Sequence, residues 1–177
     1  IDLLSNIPVS VLANSNGSPR GNDIWGWVDT TNNKEYALMG TSNSTAFVDV
    51  TDPVNPIFLG RLDTNAGNNI WRDVKVYNNY AFIVADNVGA HGMQVFDLTK
   101  LRSITNPPVN FTADAIYTTD DLGSCHNVVI NEDNGVAYLV GCRNASGQRI
   151  ANGGPIFVDI SNLINPKSHN FCSLCRK

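Results

Sequence analysis

Charged residues make up only 16% of this 177-residue chain, and Lys and Arg are scattered through it without a basic run, for a net charge of -4. Such a distribution gives no electrostatic footing for nucleic acid, whose phosphates call for a basic patch or stripe. Long apolar runs are missing as well. The longest candidate, Tyr80-Ala81-Phe82-Ile83-Val84-Ala85, is the size of a strand, where a spanning helix takes about 18 to 20 residues. No transmembrane segment is therefore expected in this piece. Neither a leading Met nor a signal peptide is present, and the true start is expected to have been removed by processing or by the choice of fragment. The chemistry motifs that announce an enzyme are also lacking: no nucleophile elbow, no paired acidic signature, no Gly-rich phosphate loop. No catalytic residue is assigned. A hydrophobic content of 42% excludes disorder and implies a packed core, in one domain rather than two.

What the chain does contain is a phrase used three times. Each copy has an entry strand, an apolar run and an alternating strand ending in Asp. The apolar runs are Tyr36-Ala37-Leu38-Met39-Gly40, Tyr80-Ala81-Phe82-Ile83-Val84 and Val136-Ala137-Tyr138-Leu139-Val140-Gly141, all rich in residues that suit a pleated surface. The alternating strands are Ala46-Phe47-Val48-Asp49-Val50, Gln94-Val95-Phe96-Asp97-Leu98 and Ile156-Phe157-Val158-Asp159-Ile160. A carboxylate at the end of a strand can accept backbone N–H bonds from the turn that follows, which gives the repeated Asp a local role. Two copies continue alike, through Thr51-Asp52-Pro53-Val54-Asn55-Pro56 and Ser161-Asn162-Leu163-Ile164-Asn165-Pro166. Proline stops the ladder there, and Ile57-Phe58-Leu59-Gly60 reads as a fourth, outer strand. Ala37 to Ala81 spans 44 residues and Ala81 to Ala137 spans 56, the longer interval carrying an insert at 100–118. Four short strands at a period of about 40 to 50 residues are what propeller blades show. A β-sandwich also has closely spaced short strands, but it does not need a repeated Asp-turn-Asn-Pro phrase. The expected fold is all-β, a partial β-propeller of about three four-stranded antiparallel blades.

Several segments together resemble the choice-of-anchor B domain family, which is related to LVIVD-repeat proteins. They are Asn22-Asp23-Ile24-Trp25-Gly26-Trp27, Lys34-Glu35-Tyr36-Ala37, Trp71-Arg72-Asp73-Val74-Lys75-Val76 and Cys125-His126-Asn127-Val128-Val129-Ile130-Asn131-Glu132, with the three Asp-ended strands. The resemblance implies an extracellular or surface-displayed propeller with no established enzymatic activity. Residues 1–166 are then the N-terminal blades of an incomplete propeller, with 3–9 as a closing strand and the missing blades of the same domain as partners. Residues 167–177 depart from the family pattern and read as an atypical C-terminal tail.

Aligning the entry strands on Val28, Val74 and Val128 brings Trp25, Trp71 and Cys125 into register, then Gly26, Arg72 and His126, then Trp27, Asp73 and Asn127. Innermost strands line the central channel of a propeller, so these sets should converge at its mouth. Arg72, Asp73, His126 and Asn127 are the candidates for holding a ligand or ion, with Trp25, Trp27 and Trp71 as aromatic contacts for a sugar or a protein. The competing expectation is that Arg72 and Asp73 orient strands and that His126 donates to a neighbouring carbonyl.

No cofactor is expected. A bound cation such as calcium would have to use His91, His126 and Asp73, or the acidic turns Asp120-Asp121 and Asn131-Glu132-Asp133-Asn134-Gly135. None of these matches a compact metal or EF-hand spacing. If Asn131 pairs with Val136 across the hairpin closed by Asn134-Gly135, continuing the register sets Cys125 opposite Cys142, close enough for a disulfide. Cys172 and Cys175 form a lone Cys-x-x-Cys, half of a structural zinc site. Sequons at Asn16, Asn43, Asn110 and Asn144 are compatible with glycosylation in a secreted protein.

These features lead to the expectation of a non-enzymatic binding or adhesion scaffold, extracellular or at the cell surface, for an extracellular protein or glycan. The alternatives are a cation-dependent hydrolase or lyase at the channel mouth, carried by Arg72, Asp73 and His126, and a structural surface-layer component.

Overall fold

Each repeat folds as an antiparallel meander of four strands in the computed structural model, which describes residues 2–13 and 17–169. The first sheet comprises β1 (Gly21–Asp29), β2 (Lys34–Thr41), β3 (Ser44–Asp49) and β4 (Ile57–Asp63). The second begins with β5 (Arg72–Tyr77), β6 (Tyr80–Ala85) and β7 (Met93–Asp97). The insert then contributes β8 (Val109–Phe111), which leaves its own sheet to pair in parallel with β4, and β9 (Ala115–Tyr117), which returns to the edge of β7. The third sheet holds β10 (Asn127–Asn131), β11 (Val136–Val140), β12 (Ile156–Asp159) and β13 (Lys167–Ser168). Among the described residues no strand joins the third sheet to the first, and the three do not close into a ring.

Turn chemistry sets these boundaries. Asn78 and Asn79, both at positive φ, close β5 onto β6 in two residues, the backbone a tight hairpin requires. Gly135, at φ 63°, ends the turn between β10 and β11, where Asn131 does pair with Val136. The Asp that ends each third strand has the expected local role. Asp49, Asp97 and Asp159 each accept the backbone N–H two residues on, from Thr51, Thr99 and Ser161, at 3.1, 2.9 and 2.8 Å. A short carboxylate side chain thereby stands in for a ladder partner as the strand turns away.

Alternation along each strand gives every sheet two faces, and the sheets stack through them. One cluster packs Leu38 and Phe47 of the first sheet against Val74, Ile83 and Phe96 of the second. Another packs Phe82, Val84 and Val95 of the second against Val128, Leu139 and Val158 of the third. The outer face of the first sheet is covered locally: Leu12 is buried with Ala46 and Val48, and Ile7 packs beside them.

The N-terminal segment supplies that cover, and not the closing strand expected at 3–9. Residues 3–8 form no strand, and Val9–Leu12 is a single helical turn, α1. The segment buries Leu12 on the first sheet, with Ile7 packed beside it, and leaves Leu3, Leu4 and Val11 exposed. At the other end, β13 lies inside the segment expected to be a tail and supplies the outer strand of the third sheet. Cys172 and Cys175 lie outside the described residues, as does the sequon at Asn16.

Candidate functional site

β1, β5 and β10 lie side by side, and carboxylates span the gaps between them. Asp23 Oδ2 accepts the Val74 N–H at 3.1 Å, and Asp73 Oδ2 accepts the Val128 N–H at 2.7 Å. Each sheet is thus tied to the next by an acid on its first strand, and both bonds are made to a residue at the same level of the repeat. Asn127 occupies that position in the third sheet, where its Nδ2 donates back to Asp73 Oδ2 at 3.2 Å.

Strand register defines the equivalence. Ile24 faces Met39, Val74 faces Ile83 and Val128 faces Leu139. The matching sets are therefore Asn22, Arg72 and His126, then Asp23, Asp73 and Asn127. The alignment on Val28 is four residues out of step in the first repeat, and the two extra rungs of the first hairpin, which runs five past this level where the others run three, account for half of that offset. Trp25 consequently matches Lys75 and Val129, not Trp71. Anchoring the repeats on Ala37, Ala81 and Ala137, which face Gly26, Val76 and Ile130, would have found Asp23 from the sequence.

Asp23, Asp73 and Lys75 form a compact charged group. Lys75 Nζ lies 2.5 Å from Asp73 Oδ1 and 3.6 Å from Asp23 Oδ2, and sits 4.4 Å from the centre of the Trp25 ring. Burial raises the pKa of Asp23, and the neighbouring Asp73 adds to the effect. Burial acts on Asp73 in the same sense, but bonds from Asp23, Lys75 and the Val128 N–H outweigh it and hold Asp73 below the usual carboxylate range. On acidification the first proton goes to Asp23.

Arg72 is engaged inside the fold. Only 1% of it is exposed. Its Nε donates to the Thr41 carbonyl at 3.1 Å, and Nη1 lies 3.1 Å from His91 Nε2. His91 Nδ1 faces the Gly92 carbonyl at 2.8 Å, so Nδ1 carries the proton and Nε2 accepts from the guanidinium. Burial, with Arg72 adding to it, pushes the His91 pKa down to about 4, and burial lowers that of Arg72 to about 10. The pair is a neutral imidazole and a charged guanidinium clamping the first sheet to the second.

His126 is turned outward. Its side chain is 53% exposed, with Nδ1 3.0 Å from Asp86 Oδ2. It lines a pocket of about 420 Å³ with Asp86, Cys142, Arg143 and Arg149. The Cys125–Cys142 disulfide is formed and fixes one wall of that pocket, as the hairpin register implied. Trp71 is exposed and its ring lies 6.4 Å from that of His126. Trp25 is likewise exposed. Trp27 is not available as a surface contact: it is buried, stacked on Tyr36 at 4.8 Å, with Nε1 donating to Asn79 Oδ1. Two residues further along β1 on the same face, its ring falls into the core between the first two sheets.

The structure therefore brings Asp73 and Asn127 together and sets Arg72 and His126 in different places. His91, His126 and Asp73 do not share a site, and no group of three His, Cys, Asp or Glu side chains among the described residues is placed to hold a metal. Asp120 Oδ2 accepts from the Tyr117 and Ser168 hydroxyls, and Asp121 Oδ2 accepts from Asn144 Nδ2. Of the sequons, Asn110 is exposed on β8. Asn43 is half-buried, and the Asn144 amide is occupied by Gln148, Ser146 and Asp121. Asp23, Lys75, Asp86, Arg143 and Arg149 complete the picture; Asp23 and Lys75 lie in the resembling segments without being singled out there, and the other three stand in no motif.

Set against known protein families, curated proteins and solved structures, the chain matches no family model, no curated protein and no solved structure.

Proposed function

We propose that this chain is a non-enzymatic binding scaffold of the β-propeller kind, working outside the cell or at its surface, with its three sheets as blades around a common axis. The observation that carries the reading is the pair of carboxylate bonds, Asp23 to Val74 and Asp73 to Val128, which set equivalent inner strands side by side and leave Trp25 and Trp71 exposed beside them. A stepwise repeat of one contact is what arrangement around an axis requires. The charged candidates support binding over turnover. Arg72 is clamped to Thr41 and His91, and Asp73 is saturated by Lys75, Val128 and Asn127. A general base needs an open approach to its substrate, which neither offers. The Cys125–Cys142 disulfide supports an oxidising compartment, and the resemblance to choice-of-anchor B domains points the same way.

The test is a screen of immobilised glycans and extracellular matrix proteins with the purified chain, run beside the Trp25→Ala/Trp71→Ala variant. Retention on at least one ligand, lost in that variant while its circular dichroism is unchanged, is the expected result. Absence of retention on every ligand would overturn the reading.

A further inference from the structure

The pocket beneath His126 has a composition that the scaffold reading does not use. Arg143 and Arg149 face each other across an isolated antiparallel bridge, and both line the cavity. Like charges placed directly opposite on paired strands repel, and an anion lying between them would relieve that repulsion. Arg143 is held in place by its Nη1, which donates to the Gly147 carbonyl at 2.9 Å, and by the disulfide on the adjacent Cys142. The one acidic residue among those lining the pocket, Asp86, meets His126 Nδ1 through Oδ2 at 3.0 Å, while its buried Oδ1 has no hydrogen-bond partner among the described residues. That bond orients the ring and leaves Nε2 as the nitrogen available to a ligand. Next to the imidazole stands the exposed indole of Trp71, tilted by 50°.

We propose that this pocket binds an acidic saccharide, with Arg143 and Arg149 taking its carboxylate or sulfate, His126 Nε2 accepting from a sugar hydroxyl and Trp71 covering a sugar face. Guanidinium groups match such oxyanions in bidentate fashion, and an indole offers the apolar surface that a pyranose ring packs on. A bare anion would have no use for the indole, and a neutral sugar none for the two arginines. The inference rests on the scaffold reading and narrows its ligand class.

Calorimetric titration of the intact, disulfide-bonded chain tests it, with four probes: a heparin-type sulfated oligosaccharide, an oligogalacturonate, a neutral chito-oligosaccharide and a phosphoserine peptide. The sulfated or the uronate probe is expected to bind and the neutral one not. Arg143→Gln/Arg149→Gln should weaken that binding by about tenfold or more, and Trp71→Ala should weaken it while leaving its salt dependence in place. Arg20→Gln, on the exposed approach to β1, controls for lost charge and should change nothing. Binding to an acidic probe that survives Arg143→Gln/Arg149→Gln in a folded protein would overturn the assignment. So would binding of a phosphoserine peptide in place of both acidic sugars, or failure of both acidic probes. Retention of a neutral glycan or a protein in those cases would leave the scaffold reading standing.

Discussion

Two buried residues show how one side chain's environment dictates another's protonation. Arg72 brings a full charge between the first two sheets, where an unpaired cation is costly. The structure meets this with acceptors rather than with an acid: the Thr41 carbonyl and His91 Nε2. An imidazole can accept only while neutral, and its burial beside the guanidinium, with a pKa of about 4, keeps it so. The sign of the resulting pH dependence follows. A histidine in the unfolded chain takes a proton near pH 6.5, whereas folded His91 resists until about 4. Stability from this site is therefore complete above about pH 6.5 and declines as the pH falls toward 4, by an amount on the order of 2 to 3 kcal/mol. Urea unfolding between pH 7.5 and 4.5 should show this loss, and His91→Gln, which keeps an acceptor for Arg72, should flatten it. A variant with the same slope as the parent would place the pH dependence elsewhere.

At the scale of strands, local chemistry decides most boundaries and one close contact decides the rest. β8 reaches the first sheet only because Gly60 lets it approach. Gly60 sits at φ 146°, in a region closed to side chains, and a Cβ there would come within 2.0 Å of the Val109 carbonyl oxygen. Gly60→Ala should therefore push β8 off β4, at a cost of about 1 to 3 kcal/mol. Hydrogen exchange should show lost protection at residues 109–111 with β1 to β3 still protected. Unchanged protection there would mean that β8 is held by Phe111 packing alone. This element also marks where the sequence stops being legible. The second and third strands of each repeat can be read from Ala37, Ala81 and Ala137 and from the terminal Asp residues, because alternation and turn chemistry are local properties. β8, β9 and β13 are two or three residues long, too short for a period, and their pairings are set by tertiary contact. The same limit hides much of the site. Asp73 and His126 stand in recognisable entry strands, but Asp23 is displaced by the longer first hairpin, and Arg143 and Arg149 meet only through a bridge that joins no regular strand.

Over the whole molecule the three sheets are unequal in one respect. Leu38 with Phe47, and Phe82 with Val95, are cross-strand pairs wholly buried against the following sheet. The matching pair in the third sheet, Tyr138 with Phe157, is only partly buried, and Val129 beside it is 54% exposed. The repeat thus presents at its third step the same apolar face that it covers at the first two. An apolar face flanked by open strand edges is adhesive in water. The chain should accordingly self-associate as its concentration rises, through the surface around Phe157. Phe157→Lys should suppress that association in sedimentation velocity runs and cost the fold about 1 to 2 kcal/mol, because the side chain is in part solvated but packs edge-on against Tyr138. Phe47→Lys, at the equivalent position of the first sheet, buries a charge between Leu38 and Phe96 and should prevent folding or cost several kcal/mol. The contrast matters more than either value. Similar large losses at both positions would mean that the third sheet is already packed against something in this chain. A small loss with unchanged association would move the adhesive surface to the strand edges, which Phe157→Lys leaves untouched.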